Sequence, residues 1–122
     1  MSEFTIYARL TGLNDYQNAC RRNRYASAKL KREQQDIVLD AIYAADLLPI
    51  LWKVDISFTW YEPDNRRDHD NVAFAKKFIL DALVEAKVLE NDSPRFVGNF
   101  QDRFYKDKSN PRVVVRLERS NE

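Results

Sequence analysis

Two aspartates two residues apart, Asp68 and Asp70, are the residues of this 122-residue chain whose types and spacing most clearly indicate chemistry. They lie in the segment 65–71, which reads NRRDHDN. Side chains two residues apart in extended backbone point the same way, so the two carboxylates converge. Convergent carboxylates are unfavourable unless a proton or a cation lies between them. Oxygen ligands without a thiolate favour a hard ion, Mg²⁺ or Mn²⁺, over zinc.

A tight site for a hard ion needs a third carboxylate, and Asp92 is the best candidate in the sequence. It follows the second predicted helix, where a helix-to-strand turn would bring the chain back toward Asp68 and Asp70. The alternative is that segment 91–94, which reads NDSP, is only a turn. Because a helix of about seventeen residues spans roughly 25 Å, this prediction requires a strand or loop that folds back.

A lysine on the second predicted helix is the candidate for steadying the phosphate or the leaving oxygen. On a helical wheel Asp70, Lys77 and Asp81 lie within roughly 40° of each other, which favours Lys77 and leaves Lys76 as the second choice. The alternative for Lys77 is a surface ion pair with Asp81, four residues further along the helix.

Basic residues near the acids and in one helical segment suit phosphate contacts. Arg66 and Arg67 precede the acids and suit phosphate capture, although loop arginines are often only solvated. The net charge is +1, but residues 21–32 hold six basic side chains and no acidic one, whereas residues 33–46 hold four acidic side chains and no basic one. This asymmetry is typical of one DNA-facing side, and also of many solvated helices. The predicted DNA-binding residues are Arg66, Arg67, Arg21, Arg22, Arg24, Lys29, Arg32 and Lys76.

The composition predicts one domain over residues 1–122, with 44% hydrophobic residues to form a core. Two glycines argue against a glycine-rich phosphate loop, so no organic cofactor is expected. The single cysteine, Cys20, excludes an internal disulfide and a cysteine zinc site. We find no secretory signal and no segment able to span a bilayer, so we expect a cytoplasmic protein without a membrane partner.

Hydrophobic periodicity predicts strands at 3–10, 51–60, 96–105 and 112–118, and helices at 16–48 and about 72–87. The first helical segment has a possible break near 23–27, and its predicted core stripe is Ala19, Ala26, Leu30, Ile37 and Ala41. The order βαβαββ predicts an α+β fold in which helices pack on a mixed β-sheet.

With these residues in view, the sequence resembles the RusA family of Holliday junction resolvases, especially its phage-borne members. The resemblance is carried by 67–71 (RDHDN), Lys77, 81–83 (DAL) and 91–92 (ND), with a weaker match at 13–16 (LNDY). The family's closing pair is often two aspartates, whereas the first residue here is Asn91.

The resemblance implies a RusA-like fold, a homodimer, and Mg²⁺-dependent paired nicking of four-way DNA junctions, with Mn²⁺ expected to substitute. It implies that Asp68, Asp70 and Asp92 match the catalytic acids and that a helix lysine contributes. It further implies a bacterial host cell, a phage or prophage origin and a role in DNA recombination or repair. The alternatives are a metal-dependent nuclease acting on flaps or other branched DNA, and a non-catalytic DNA-binding module.

Overall fold

Four strands form the sheet of this protein, whose computed structural model describes residues 2–121. They are β1 (Ser2–Ile6), β2 (Val54–Glu62), β3 (Val97–Lys106) and β4 (Arg112–Arg119). The sheet order is β1-β4-β2-β3, in which β2 and β3 run parallel and the other two pairs antiparallel. The predicted α+β fold with a mixed sheet is therefore confirmed.

Four helices connect the strands: α1 (Leu13–Arg22), α2 (Arg24–Ala45), α3 (His69–Ala73) and α4 (Lys76–Glu85). The predicted break in the first helical segment falls at Asn23, whose side chain accepts a hydrogen bond of 2.7 Å from the Ala26 N–H and so caps α2. The second predicted helix is also divided, because a turn at Phe74 and Ala75 separates α3 from α4.

The core lies between the helices and one face of the sheet. Alternate residues of β2, from Val54 to Trp60, are buried on that face as predicted. From α2 the core receives Val38, Leu39 and Ile42, and Ala41 packs half-buried against it, whereas Ile37 is exposed, so the predicted stripe is offset from the buried face at Ile37. That stripe was counted from Ala19 through the Asn23 break, and the phase of one helix does not fix the face of the next.

The parallel pair β2 and β3 decides where the functional residues lie. Both strands begin at one end of the sheet, at Val54 and Val97, and finish at the other, at Glu62 and Lys106. We call these the starting end and the finishing end. The connection through α3 and α4 must therefore leave from the finishing end and return to the starting end. Within residues 2–121, none of the helices is long and apolar enough to cross a membrane.

Candidate functional site

A cavity of about 640 Å³ opens at the finishing end of β2 and β3. Two of the predicted acids, Asp68 and Asp70, line it together. The cavity is also lined by polar and aromatic side chains that the sequence reasoning had not assigned to the site, which are Glu62, Asp64, His69, Phe104, Tyr105 and Lys106. The prediction that Asp68 and Asp70 share one site therefore agrees with their placement.

The start of α3 leaves both aspartates available. Asp68 is the N-terminal capping residue of α3 and has extended backbone, but its side chain makes no capping hydrogen bond. Asp70 lies in the first turn of the same helix, where negative charge is favoured by the helix dipole. In the part of the chain that the structure describes, neither carboxylate has a hydrogen-bond or ion-pair partner. Both side chains are exposed, so they can take an external ligand.

Arg67 is hydrogen-bonded within the wall of the cavity, and its side chain is only 14% exposed. Its Nε and Nη2 donate to Glu62 Oε1 at 2.9 and 2.6 Å, and its Nη1 donates to the Leu10 carbonyl oxygen at 3.1 Å. These bonds occupy the guanidinium, so the structure gives Arg67 a positioning role instead of the predicted phosphate contact. Arg66, in contrast, is highly exposed, with only Asp64 nearby at 3.8 Å.

Asn71 holds helix α1 against the site. Its side-chain Oδ1 accepts a 3.0 Å hydrogen bond from the Asn14 backbone N–H, in the first turn of α1. The capping residue of α1 is Gly12, which has no side chain that could accept this hydrogen bond. A Cβ at Gly12 would lie 2.6 Å from Asn71 Oδ1 and 2.8 Å from Arg67 Nη1. Glycine is therefore required for the close approach.

The replacement Asn71→Ala should lower the free energy of unfolding by about 1–2 kcal/mol, because the first turn of α1 loses its capping acceptor. The measurement is the midpoint of thermal or urea unfolding. Asn14→Ala is the matched control, since only the backbone of Asn14 takes part in the bond, and it should leave stability unchanged or slightly raised. An equal loss in both variants would contradict a capping role for Asn71.

Neither candidate lysine lines the cavity, and the structure gives each another partner. Lys76 Nζ lies 2.7 Å from Asp102 Oδ2, above the rings of Phe58 and Phe100, and joins α4 to β3. Lys77 is 62% exposed and lies 4.0 Å from Asp81, the surface-pair alternative. The prediction that Lys77 adjoins the acids was wrong because the wheel assumed one continuous helix. Lys106, which lines the cavity from β3, is the lysine that the structure places there.

Asp92 is not brought to the other two aspartates within one copy of the chain. It precedes β3, and the turn after it places the Phe96 carbonyl oxygen on the Val54 N–H, at the starting end of the sheet. Asp68 and Asp70 lie at the finishing end, so the length of β2 separates them from Asp92 by about 25 Å. The prediction of three converging acids in one chain was wrong because the parallel crossover returns to the opposite end. In residues 2–121, no three acidic, histidine or cysteine side chains are grouped to share an ion.

The predicted basic surface on α1 and α2 is smaller than the sequence indicates. Arg32 donates two hydrogen bonds to Glu85, at 3.0 and 3.2 Å, and also pairs with Asp36. These two carboxylates, Glu85 first, raise the pKa of the Arg32 guanidinium above its usual range. Lys29 lies 3.9 Å from Glu33. Arg32 and Lys29 therefore each have an acidic neighbour within the protein, and their assignment to DNA binding stays a prediction.

Three arginines at the junction of α1 and α2 keep an unbalanced positive charge: Arg21, Arg22 and Arg24. All three are exposed, and within residues 2–121 none has an ion-pair partner. Asn71 fixes the first turn of α1, and a helix of this length spans about 15 Å. The α1–α2 junction therefore lies about one helix length from the cavity.

His69 forms an aromatic wall of the cavity with Phe104. The two rings stack with centroids 3.9 Å apart and planes 1° from parallel. In the sequence His69 lies between Asp68 and Asp70, and that position is the signal that could have placed it in the site.

The comparison with models of known protein families and with curated proteins found no match for this chain.

Proposed function

We propose that this chain is a Mg²⁺-dependent, structure-specific endodeoxyribonuclease that resolves four-way DNA junctions by paired nicks. The observation that carries the proposal is the pair of unpartnered carboxylates, Asp68 and Asp70, on the wall of one open cavity. The resemblance of segment 67–71 to the RusA pattern supports the same reaction and the choice of substrate.

The donor set of the cavity fits Mg²⁺, and Mn²⁺ should replace it. Asp68 and Asp70 supply carboxylate oxygens, and the lining contains no thiolate. Mg²⁺ is commonly held by one or two carboxylates together with water and phosphate oxygens, so a full protein cage is unnecessary. When bound, the ion lowers the pKa of a coordinated water and neutralises charge on the scissile phosphate.

The protein's own residues hold and orient the substrate around the acids. The Lys106 ammonium lines the cavity, where it can pair with a non-bridging phosphate oxygen. Arg66 is exposed beside the cavity and suits the neighbouring phosphate of the same strand. Arg21, Arg22 and Arg24 contact phosphates of a junction arm, which gives recognition of shape with little reading of bases.

Paired nicks require two sites, and a homodimer with a two-fold axis supplies them. Asp92 keeps its proposed role as third metal ligand only if the Asp92 of the partner subunit reaches the cavity, since about 25 Å separates the two ends of β2 within one copy. We therefore assign each metal site to Asp68 and Asp70 of one copy and the partner subunit's Asp92.

The proposed role is resolution of recombination intermediates in the cytoplasm of a bacterial host, with the chain encoded by a phage or prophage. The resemblance to phage-borne RusA members is the support for this context.

Cleavage of labelled synthetic DNA tests the reaction and the substrate together. A four-way junction, a flap and a plain duplex of matched sequence are incubated with Mg²⁺, Mn²⁺ or EDTA. We expect paired nicks on the junction with either metal and none in EDTA. Faster cutting of the flap would favour a nuclease for other branched DNA. Junction binding without cutting in either metal would indicate a DNA-binding module.

A further inference from the structure

The free edge of β3 is the longest unpaired backbone of the sheet. In the order β1-β4-β2-β3, the ten residues of β3 pair only with β2 on one side. Every β3 residue after Val97 is exposed or half-buried. The N–H and C=O groups directed away from β2 form a template for another strand, a feature that natural proteins usually protect.

The β3 edge carries exposed charges at Arg103 and Lys106 but few of the other usual protective features. No proline occurs between Pro94 and Pro111, and the irregular register with β2 is confined to the start of the strand, before Phe100. The charge of Asp102 is neutralised by Lys76 at 2.7 Å. Phe100 remains 46% exposed and Tyr105 51% exposed. A long, nearly regular edge with exposed aromatic side chains favours strand pairing.

We infer that the β3 edges of two copies pair antiparallel about a two-fold axis and join the two sheets into one of eight strands. This inference rests on the proposed function only in requiring a dimer. The occupant of the edge is a second copy of this chain. Because β3 runs the full distance from the starting end to the finishing end, antiparallel pairing of two copies sets the starting end of each copy beside the finishing end of the other. The partner's turn before β3 then lies beside the Lys106 end.

The same pairing supplies the acid that each site lacks. The partner subunit's Asp92, five residues before its β3, approaches the cavity formed by Asp68 and Asp70. The exposed apolar residues Leu48 and Leu51 lie near the starting end and offer another surface for self-association. A symmetric contact there would bring like ends together and leave the acids apart.

Charge and the length of paired strand together select the register of the two strands. With Gln101 on the axis, Asn99 faces the partner's Arg103, Phe100 faces the partner's Asp102, and no like charges are opposed. An axis at Asp102 or Arg103 would set like charges directly opposite each other, which is unfavourable. Of the remaining positions, Gln101 lies nearest the middle of β3 and pairs the greatest length of strand, so we place it on the axis.

Disulfide cross-linking tests the pairing and its register. In a Cys20→Ser background, which removes the only cysteine, Gln101→Cys should give a covalent dimer on mild oxidation. Arg103→Cys is the matched control, because its symmetry mates would lie about 13 Å apart, too far for a disulfide. A covalent dimer from Arg103→Cys alone would overturn the register.

Sedimentation of the protein without cross-links tests whether the β3 edge is the dimer interface. Gln101→Lys places two ammonium groups at the axis and should weaken dimerisation at least tenfold, whereas Leu51→Glu should leave it unchanged. Circular dichroism checks that each variant is folded. A dimer lost only in Leu51→Glu, or a wild-type protein that stays monomeric at the concentrations used for cleavage, would overturn the inference. A β3-paired dimer that cuts no junction would instead contradict the proposed function.

Discussion

The replacement Asp70→Asn should lower the single-turnover rate of junction cleavage about 1000-fold and leave junction affinity within about threefold of wild type. The amide has nearly the shape of the carboxylate but no charge, so the metal loses a ligand while the fold keeps its packing. A 1000-fold loss corresponds to about 4 kcal/mol of transition-state stabilisation. The phosphate contacts proposed for Arg21, Arg22 and Arg24 should be unaffected, because these residues lie about one helix length from Asp70.

The measurement combines cleavage in Mg²⁺ under enzyme excess with junction binding in EDTA. Asp40→Asn is the matched control, since Asp40 is exposed on α2, away from the cavity, and its replacement makes the same change of charge. It should cut at the wild-type rate. If Asp70→Asn also cuts at that rate, the metal site is assigned to the wrong residues. If binding falls as far as cleavage, Asp70 serves DNA affinity instead of chemistry.

The fold was predictable where the residue pattern of a single segment determines the secondary structure of that segment. The alternation from Val54 to Trp60 fixes a strand with one buried face, and Asn23 carries the capping chemistry that ends one helix and begins the next. The division of the second predicted helix was not predictable, because buried positions continue at helical spacing from Val72 through Ala75 to Ile79. Periodicity reports which side chains are buried and does not detect a turn that preserves the spacing.

The candidate site was predictable only in its local part. Asp68 and Asp70 share the cavity because they are neighbours in one short segment. Asp92 was misplaced within the single copy because its position depends on the parallel direction of β2 and β3, and chain direction in a sheet is set by packing over the whole domain. For the same reason the sequence did not predict that Lys106 lines the cavity, which it reaches from the far end of β3.

The roles of Arg67 and Asn71 also depended on distant residues. Both belong to the segment that resembles the RusA pattern, yet their side chains bind the chain between Leu10 and Asn14. The sequence marks Arg67, beside the acids, as a candidate for DNA contact, because its bond to the Leu10 carbonyl oxygen joins residues 57 positions apart. Part of the RDHDN segment therefore positions α1 instead of contacting substrate.

Mixing two inactive variants should restore nicking if the metal site is shared between copies. One chain carries Asp68→Asn with Asp70→Asn, and the other carries Asp92→Asn. In their heterodimer, the second chain contributes intact Asp68 and Asp70 and the first contributes intact Asp92, so one of the two sites is complete. If the three acids belonged to one chain, both sites of the heterodimer would lack a ligand and no activity would return.

The heterodimer is isolated through two different affinity tags, so that neither parent homodimer contaminates it. We expect nicking at about half the wild-type rate, at least 100-fold above either homodimer, with single nicks instead of paired resolution, because only one of two symmetric sites works. The control is a dimer in which both subunits carry Asp92→Asn and differ only in their affinity tags. This control should stay inactive. Inactivity of the mixed heterodimer, with junction binding intact, would exclude Asp92 as a ligand from the partner and would reduce the proposed metal site to Asp68 and Asp70.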